Sequence, residues 1–318
     1  MHRVRTFTLG TLAVVGVAAL AACGSSNSMG PTNVAPPDSV QEQIAQSIAT
    51  SIQSEVASFT NFGAFAFLTP FTTSPDVEVR QGVTKLRALT RRAGPGHVST
   101  LAFDDSCPTA SPSTPTDEDA DGVPDLATFT YTTAHCTDTQ NGETVTITGS
   151  WVAGDTTPHT ADLDDNEQIN NLLLTESGTQ SAFRLAADGG VSIVETTGKV
   201  TANENFWLAV QETAPQAVHD SLSEAGGLEF DFSPSGNPLI EGSQLPAGTL
   251  HINLNESFVL GGQTAYTFTI ATPTALTIDP ACLSTVTGGV VNVTFGTGTT
   301  TVETITWTGC GAYTITKA

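Results

Sequence analysis

Hydrophobic and polar residues alternate along much of this chain. The stretch ETVTITGSW places Val145, Ile147 and Trp151 on one face and threonines on the other, and GTLHINLN follows the same pattern. LEFDF, TAYTFTI, VVNVTF and TTVETITW repeat the period of two. An apolar face opposite a threonine-rich face is typical of antiparallel sheet with one solvated side.

Glycine-containing turn signals separate these runs. Asn141-Gly142, Asp188-Gly189-Gly190 and Gly261-Gly262 fall between strand-like segments. Their spacing suits consecutive strands joined by short connections. The sequence therefore predicts a mainly β fold, built as an antiparallel meander, a sandwich or a partly open barrel.

Near the N-terminus the period changes from two to about four. Ser39-Val-Gln-Glu42 forms a capping box, which commonly starts a helix. An apolar stripe then recurs every four residues, at Val40, Ile44, Ile48, Ile52 and Val56. This pattern predicts an amphipathic helix that ends near Phe59 and buries its stripe against another element.

A second, shorter helix is predicted inside the β region. It would run from about Ala214 to Ala225 and carry Val218 and Leu222 on one side. Gly226-Gly227 would end it, because glycine is common just after the last turn of a helix.

The N-terminal residues resemble a bacterial lipoprotein signal. A short basic segment precedes the uncharged run Thr6 to Ala22, which is too short for a comfortable transmembrane helix but suits a secretory signal. The run ends in Leu20-Ala21-Ala22-Cys23, which resembles the lipobox of bacterial lipoproteins. The resemblance implies that Cys23 is lipidated and anchors the protein to a membrane. The alternative is ordinary cleavage after Ala19-Leu20-Ala21, which would release a soluble protein.

The resemblance also indicates a location in the cell envelope. Gly24-Ser25 lacks the aspartate associated with inner-membrane retention, so we expect a lipid-anchored protein of the bacterial outer membrane. The predicted organisation is a signal peptide over residues 1–22 and a flexible Gly, Ser, Asn and Pro-rich tether over 23–38. A helical segment with a basic linker would follow over 39–96, and a disulfide-stapled β domain over 97–318.

Charge excludes one class of partner. Arg3 and Arg5 would leave with the signal, so eight Lys and Arg would face thirty-two Asp and Glu, a formal charge of −24. Such a surface repels nucleic acids and attracts divalent cations. Five of the basic residues lie in VRQGVTKLRALTRRAG. That segment is either a strip that docks on anions or membranes or, as we favour, a solvated segment that contacts the acidic body.

Four cysteines remain after Cys23, an even number in a chain exported to an oxidising compartment. Four cysteines allow three pairings. We favour Cys107 with Cys136 and Cys282 with Cys310, because the two loops enclose nearly equal lengths of 28 and 27 residues. The flanks of the two loops match in part, which suggests either a partial internal repeat or chance similarity among threonine-rich strands.

A candidate metal site lies in TDEDADGVPDL, residues 116–126. Its predicted ligands are the carboxylates and one backbone carbonyl of Asp117, Asp119, Asp121, Val123 and Asp125. The stretch resembles the repeat of thrombospondin type 3 domains and the start of an EF-hand loop, which implies Ca²⁺. The twelfth position is Thr128 where an EF-hand has glutamate, so we expect weak, structural binding, on the order of 0.1 to 1 mM.

Signals for catalysis are sparse. The chain has no nucleophile elbow, zinc-protease helix or phosphate-binding loop, and its histidines are scattered. Asp104-Asp105 and Asp164-Asp165 could serve hydrolysis but are interpreted as solvated surface. The three tryptophans could line a ligand site, although core packing is favoured.

Three functions remain open. The favoured one is a non-enzymatic envelope lipoprotein, a calcium-stabilised β domain that interacts with an unknown envelope protein or has a structural role. The second is a carrier of an apolar ligand or lipid, since the expected helix and curved sheet resemble LolA-like and LppX-like half-barrels in architecture. The third is a hydrolase.

Overall fold

The described β strands form one sheet, and most of them follow one another as an antiparallel meander. The computed structural model describes residues 32–33, 35–57, 107–114, 116–119, 125–140, 143–158, 164–178, 182–212, 218–233, 245–260, 264–282, 286–296 and 300–318. All of them lie within one compact unit, residues 31–318. The mainly β fold that the alternation predicts is confirmed.

The described residues form fourteen strands and one helix. Helix α1 spans Asp38–Ala57. The short strands are β1 Thr32–Asn33, β2 Thr109–Ser111, β3 Ala127–Tyr131, β4 Thr137–Gln140 and β14 Ala312–Lys317. The longer strands are β5 Glu143–Asp155, β6 Asp165–Ser177, β7 Ala182–Thr196, β8 Lys199–Glu212, β9 Val218–Phe232, β10 Gly248–Leu260, β11 Thr264–Ile278, β12 Val286–Phe295 and β13 Thr301–Gly309.

Each strand from β5 to β14 pairs with the next one along the chain. At the other end, β5 also pairs with β3 and β4, and β3 pairs with β2. The small β1 adds a parallel pair beside β11. Among the described strands, β2 and β14 do not pair with each other, so the sheet is open and does not close into a barrel.

One face of the sheet is almost entirely apolar, and we call it the inner face. On β10 it carries Leu250, Ile252 and Leu254, all buried as the alternation predicts. It continues through Leu185 on β7 and Val293 on β12, and the buried residues of all these strands belong to one hydrophobic cluster. Burial of this face is the main stabilising term of the fold.

Helix α1 covers the end of this inner face near β12, β13 and β14. Its predicted stripe is confirmed, because Ile44, Ile48, Ile52 and Val56 are all buried. The helix begins at Asp38, one residue before the predicted capping box. Residues beyond Ala57, where the helix was expected to end near Phe59, lie outside the described residues.

Polar contacts at both ends fix the helix against the last strands. The Thr301 hydroxyl donates to Gln41 Oε1 at 2.9 Å, and Gln53 Nε2 donates to the Gly311 carbonyl at 2.6 Å. Lys317 forms an ion pair with Asp38 at 2.5 Å. These contacts orient α1 along β13.

The prediction of a short internal helix is wrong. Val218–Phe232 is strand β9, hydrogen-bonded to β8 on one side and β10 on the other. Val218 and Leu222 are four residues apart, and a spacing of four fits a strand as well as a helix. Pairing on both edges decided between them. Residues 213–217 lie outside the described residues.

Two glycine pairs interpreted as stop or turn signals lie in the middle of strands. Asp188-Gly189-Gly190 is part of β7, and Gly226-Gly227 is part of β9. Gly226 has a φ of +152°, and a Cβ there would collide with the Asn253 carbonyl oxygen and lie 2.8 Å from the Leu254 Cα. Glycine is therefore required where the neighbouring backbone approaches a residue with positive φ inside a long strand.

Two disulfides staple the ends of the meander. Cys107 is bonded to Cys136 and Cys282 to Cys310, with Cα–Cα distances of 5.1 and 5.6 Å. This is the local pairing that the loop lengths favour. Each bridge encloses two consecutive strands, β2 with β3 and β12 with β13.

Candidate functional site

The acidic loop before β3 is closed by one of its own carboxylates. The Asp125 side chain accepts hydrogen bonds from the Thr116 hydroxyl and, at 3.0 Å, from the Glu118 amide. The Asp125 amide donates to the Thr116 carbonyl at 2.9 Å. Asp125 therefore links the residues on either side of the loop through hydrogen bonds to Thr116 and Glu118.

Asp119 lies within the same loop, but its carboxylate is buried. Both of its carboxylate oxygens are buried and have no hydrogen-bond partner. A buried carboxylate without partners is destabilising, and a cation beside it would relieve that cost. Asp117 is exposed. Asp121 and Val123 lie outside the described residues, so the full set of five predicted ligands is not placed.

No group of three or more His, Cys, Asp or Glu side chains within the described ranges is arranged to hold a metal ion. That search did not cover Asp121, the predicted centre of the calcium loop. The proposed lipidation site Cys23 and the basic segment VRQGVTKLRALTRRAG also lie outside the described residues.

The interpretation of Asp164-Asp165 as solvated surface is wrong. Both residues are buried, at 5% and 6% exposure. Asp164 accepts a hydrogen bond from the Glu195 amide at 2.5 Å and another from the Thr156 hydroxyl at 3.2 Å. Asp164 thus joins the end of β7 to the segment after β5, which is a structural contact. Asp104-Asp105 lies outside the described residues.

The tryptophans divide between core and surface. Trp151 stacks on Phe129 with ring centroids 5.0 Å apart, and Trp307 contacts Tyr313 at 5.8 Å. Both are buried, as core packing predicts. Trp207 departs from that prediction, because it lies on the outer face of β8 and is 43% exposed.

Three glutamates on the inner face were not singled out by the sequence. Glu204 on β8, Glu224 on β9 and Glu256 on β10 have exposures of 5%, 1% and 3%. We call these three residues the glutamate cluster. All six of their carboxyl oxygens are buried, and no other described residue donates a hydrogen bond to them. The side chains of Glu204 and Glu224 hydrogen-bond each other, which requires one of the two to be protonated.

The register of the sheet brings the cluster together. Glu224 and Glu256 lie directly opposite each other on β9 and β10. Glu204 lies opposite Gly226 on β9, two residues from Glu224. Opposite residues in an antiparallel pair have Cβ atoms roughly 5 Å apart, and diagonal neighbours lie within reach of long side chains.

Aromatic rings flank Glu224 and Glu256 in the same row of paired residues across the sheet. Phe206 lies opposite Glu224, and Phe268 lies opposite Glu256. Phe295 lies opposite Phe268 on β12, and the two rings are 5.5 Å apart. The carboxyl groups are therefore surrounded by apolar and aromatic surface.

This environment favours the neutral acid over the carboxylate. Burial raises the pKa of Glu204 to about 8. Burial also raises the pKa of Glu224 well above its usual range, and the nearby charges of Glu204 and Glu256 raise it further. Burial and the charge of Glu204 likewise raise the pKa of Glu256. The hydrogen bond between the Glu204 and Glu224 side chains lowers the pKa of Glu204 against the effect of burial and raises that of Glu224 further. Burial thus favours the neutral acid within the cluster.

The sequence contains a signal that could have found Glu256. It follows Leu250, Ile252 and Leu254 at the same parity, so the alternation that predicts their burial also places Glu256 on the inner face. Glu204 has the same parity as its strand neighbour Phe206. Glu224 was hidden by the wrong helix prediction for that segment.

Searches of protein-family models, curated proteins and solved structures found no match to this chain. The geometry of the chain itself therefore carries the functional argument.

None of the described helices combines the length and the apolar character needed to span a membrane.

Proposed function

We propose that this protein is a non-enzymatic, lipid-anchored protein of the bacterial cell envelope whose β domain carries an apolar ligand. The observation that carries the proposal is the inner face of the open sheet, where an apolar surface contains three buried carboxyl groups that receive no hydrogen bond from any other described residue. Each such group costs roughly 1 to 3 kcal/mol of stability. A domain that serves only as a scaffold gains nothing from that cost, whereas perturbed buried acids are common in binding sites.

The other candidate is an interaction or structural domain without a ligand. The two disulfides and the continuous core support it, because both stabilise a rigid module. It leaves the glutamate cluster without a role. The hydrolase alternative has less support, since Asp164 is occupied by hydrogen bonds that join structural elements.

Attachment to the membrane would come from Cys23. The lipobox Leu20-Ala21-Ala22-Cys23 supports lipidation, and the tether over residues 23–38 would give the domain reach from the membrane surface. The outer membrane is the proposed destination, because Gly24-Ser25 lacks the retention aspartate. An anchored carrier would act near a source or acceptor of apolar molecules.

Calcium is proposed to stabilise the loop before β3. The unpartnered, buried carboxylate oxygens of Asp119 fit a cation site. Asp117, Asp121, Asp125 and the Val123 carbonyl would complete the oxygen ligands that Ca²⁺ prefers. In this role the ion would brace the loop inside the first disulfide and take no part in ligand chemistry.

Titration with a neutral apolar fluorophore, such as diphenylhexatriene, tests the carrier function. The mature domain with Cys23→Ser is used, so that a lipid anchor does not contribute. A carrier gives saturable binding near one molecule per chain that a long-chain alcohol displaces. Fluorescence that rises without saturation, or none at all, would favour the structural domain.

A further inference from the structure

The outer face of the sheet, opposite the inner face, presents an aromatic ring to solvent. Trp207 on β8 is 43% exposed, whereas Trp151 and Trp307 are buried. Tryptophan combines a large, rigid apolar ring with one N–H donor, which is why it is common where proteins contact other molecules. The exposed ring of Trp207 is therefore available for such a contact.

The residues around Trp207 leave its ring uncovered. Asp188 lies opposite it on β7, and Ser223 lies opposite it on β9. The next outer-face positions on these two strands hold small residues, which are Ala186, Gly190, Ser221 and Ala225. None of these side chains is large enough to cover an indole ring. The exposure of Trp207 is thus set by the neighbouring strands.

Four asparagines lie beside Trp207 on the same face. Asn203 and Asn205 precede it on β8 at the same parity, and Asn253 and Asn255 lie on β10. We call these four residues the asparagine quartet, and all four are exposed. Each amide side chain offers two N–H donors and one carbonyl acceptor to a partner. The quartet therefore provides hydrogen-bonding groups next to an exposed ring.

The register of the sheet arranges the quartet in two rows. Asn203 and Asn253 both lie opposite Gly227 on β9, and the other two members both lie opposite Ala225. Two strand spacings separate β8 from β10, so the asparagines of one row are roughly 10 Å apart. Because the residues between them are small, the amides lie on either side of a shallow groove along β9.

The region of the quartet is uncharged, although the chain has thirty-two acids and ten basic residues. On the outer face of β8, β9 and β10, the charged side chains among the described residues are Lys199, Glu229 and Asp231. They lie together at one end, where Lys199 pairs with both acids at 2.7 and 3.5 Å. The acidic chain repels an anionic partner and attracts a cationic one to other regions. The quartet therefore fits a neutral partner.

We propose that the outer face of β8, β9 and β10 binds a neutral glycan chain, with one sugar ring on Trp207 and neighbouring hydroxyl groups on the asparagine quartet. The face of a sugar ring carries C–H groups and packs on an indole ring. Its rim carries hydroxyl groups, which donate to and accept from amides. This inference is independent of the carrier function, which uses the opposite face of the sheet.

Two other occupants fit this face less well. A second copy of the chain would bring its own large negative charge to the interface. An apolar molecule would cover the four amides without bonding to them, and a buried polar group without a partner is costly. Sugar hydroxyl groups avoid both costs, because they are uncharged and bond to the amides.

Calorimetric titration with neutral oligosaccharides tests the proposal. The protein is the mature chain carrying Cys23→Ser, and the probes are cellohexaose, chitohexaose and maltohexaose, which differ in linkage and substituents. At least one probe should bind saturably. Its affinity should change little between low and high salt, because screening acts on charged partners.

Variants assign the binding to the outer face. Trp207→Ala and Asn253→Ala/Asn255→Ala should each weaken it at least tenfold, and Trp207→Phe, which keeps a ring, should weaken it less than Trp207→Ala. Val194→Ala is the matched control and should bind as the wild type does. Val194 is also a large apolar residue of the outer face, 41% exposed, but lies on β7 opposite Thr201. Circular dichroism shows that each variant is folded.

The outcomes decide between the possible occupants. Binding of none of the three probes to the folded protein overturns the glycan site, and so does binding that Trp207→Ala leaves unchanged. A dimer that Trp207→Ala dissociates in analytical ultracentrifugation would overturn it in favour of pairing between two copies. These outcomes leave the carrier function intact, because the diphenylhexatriene titration reports on the inner face.

Discussion

The two ends of the sheet contain features that stabilise the fold, whereas its middle contains buried acids. Each end has a disulfide that encloses two strands, and α1 adds its buried stripe near β13. The middle strands β8, β9 and β10 contain no cysteine and place the three acids of the glutamate cluster in the core. The ends are cross-linked, whereas the middle concentrates three buried acids in one place; Asp119 near the first disulfide is a single further case. The proposed carrier function would use the middle of the sheet.

The largest expected effect comes from removing a staple. Cys282→Ser/Cys310→Ser should lower the free energy of unfolding by about 3 to 4 kcal/mol. The disulfide joins residues 28 positions apart, and its removal increases the conformational entropy of the unfolded chain. Denaturation with urea measures the loss. A change below about 1 kcal/mol would show that the end of the sheet does not depend on its disulfide.

The next effect lies in the middle of the sheet. Gly226→Ala should cost about 2 to 3 kcal/mol, because the new Cβ collides with the Asn253 carbonyl of β10. Gly309→Ala is the control, since a Cβ there meets nothing within 4 Å. Equal stability of the two variants would contradict the close approach of β9 and β10.

The pH dependence of stability tests the glutamate cluster without a ligand. Folding raises the pKa of Glu204 from about 4.5 in the unfolded chain to about 8. The contribution of such an acid to stability is complete below its unfolded pKa and is lost as the pH rises toward its folded pKa. Stability should therefore fall from pH 5 to pH 8, by up to about 1.4 kcal/mol per pH unit for each acid. Glu224→Gln/Glu256→Gln should flatten this slope. A wild-type stability that rises over this range would contradict the buried acids.

The smallest expected effect comes from the loop near the first staple. Calcium at 5 mM should stabilise the domain by about 1.4 kcal/mol if its dissociation constant is on the order of 0.5 mM. Asp121→Ala should abolish this shift in thermal denaturation, and Glu118→Gln in the same loop should keep it. A calcium shift that survives Asp121→Ala would place the ion elsewhere.

The spacing of apolar residues predicted the strands and the helix correctly where the face it marks is also the face that tertiary contacts bury. The parity of Leu250, Ile252 and Leu254 and the stripe of Ile44 and Ile48 are both confirmed, because burial acts on every member of the pattern. Local disulfide pairing is also confirmed.

The two misinterpreted glycine pairs share one physical cause. Gly189 and Gly226 were interpreted as ends of elements, but a glycine inside a long strand also serves where a neighbouring backbone comes close, and that approach is set by distant residues. The glutamate cluster depends on the register of three strands. Sequence could place each acid on a face, but it could not show that all three occupy neighbouring positions.

The most direct measurement is a native mass spectrum of the mature domain carrying Cys23→Ser, released from the periplasm without detergent. Transport of an apolar ligand predicts an adduct of lipid-like mass that is retained in the native spectrum and lost on denaturation. A spectrum that shows only the bare chain, or the chain with calcium, would contradict the carrier function.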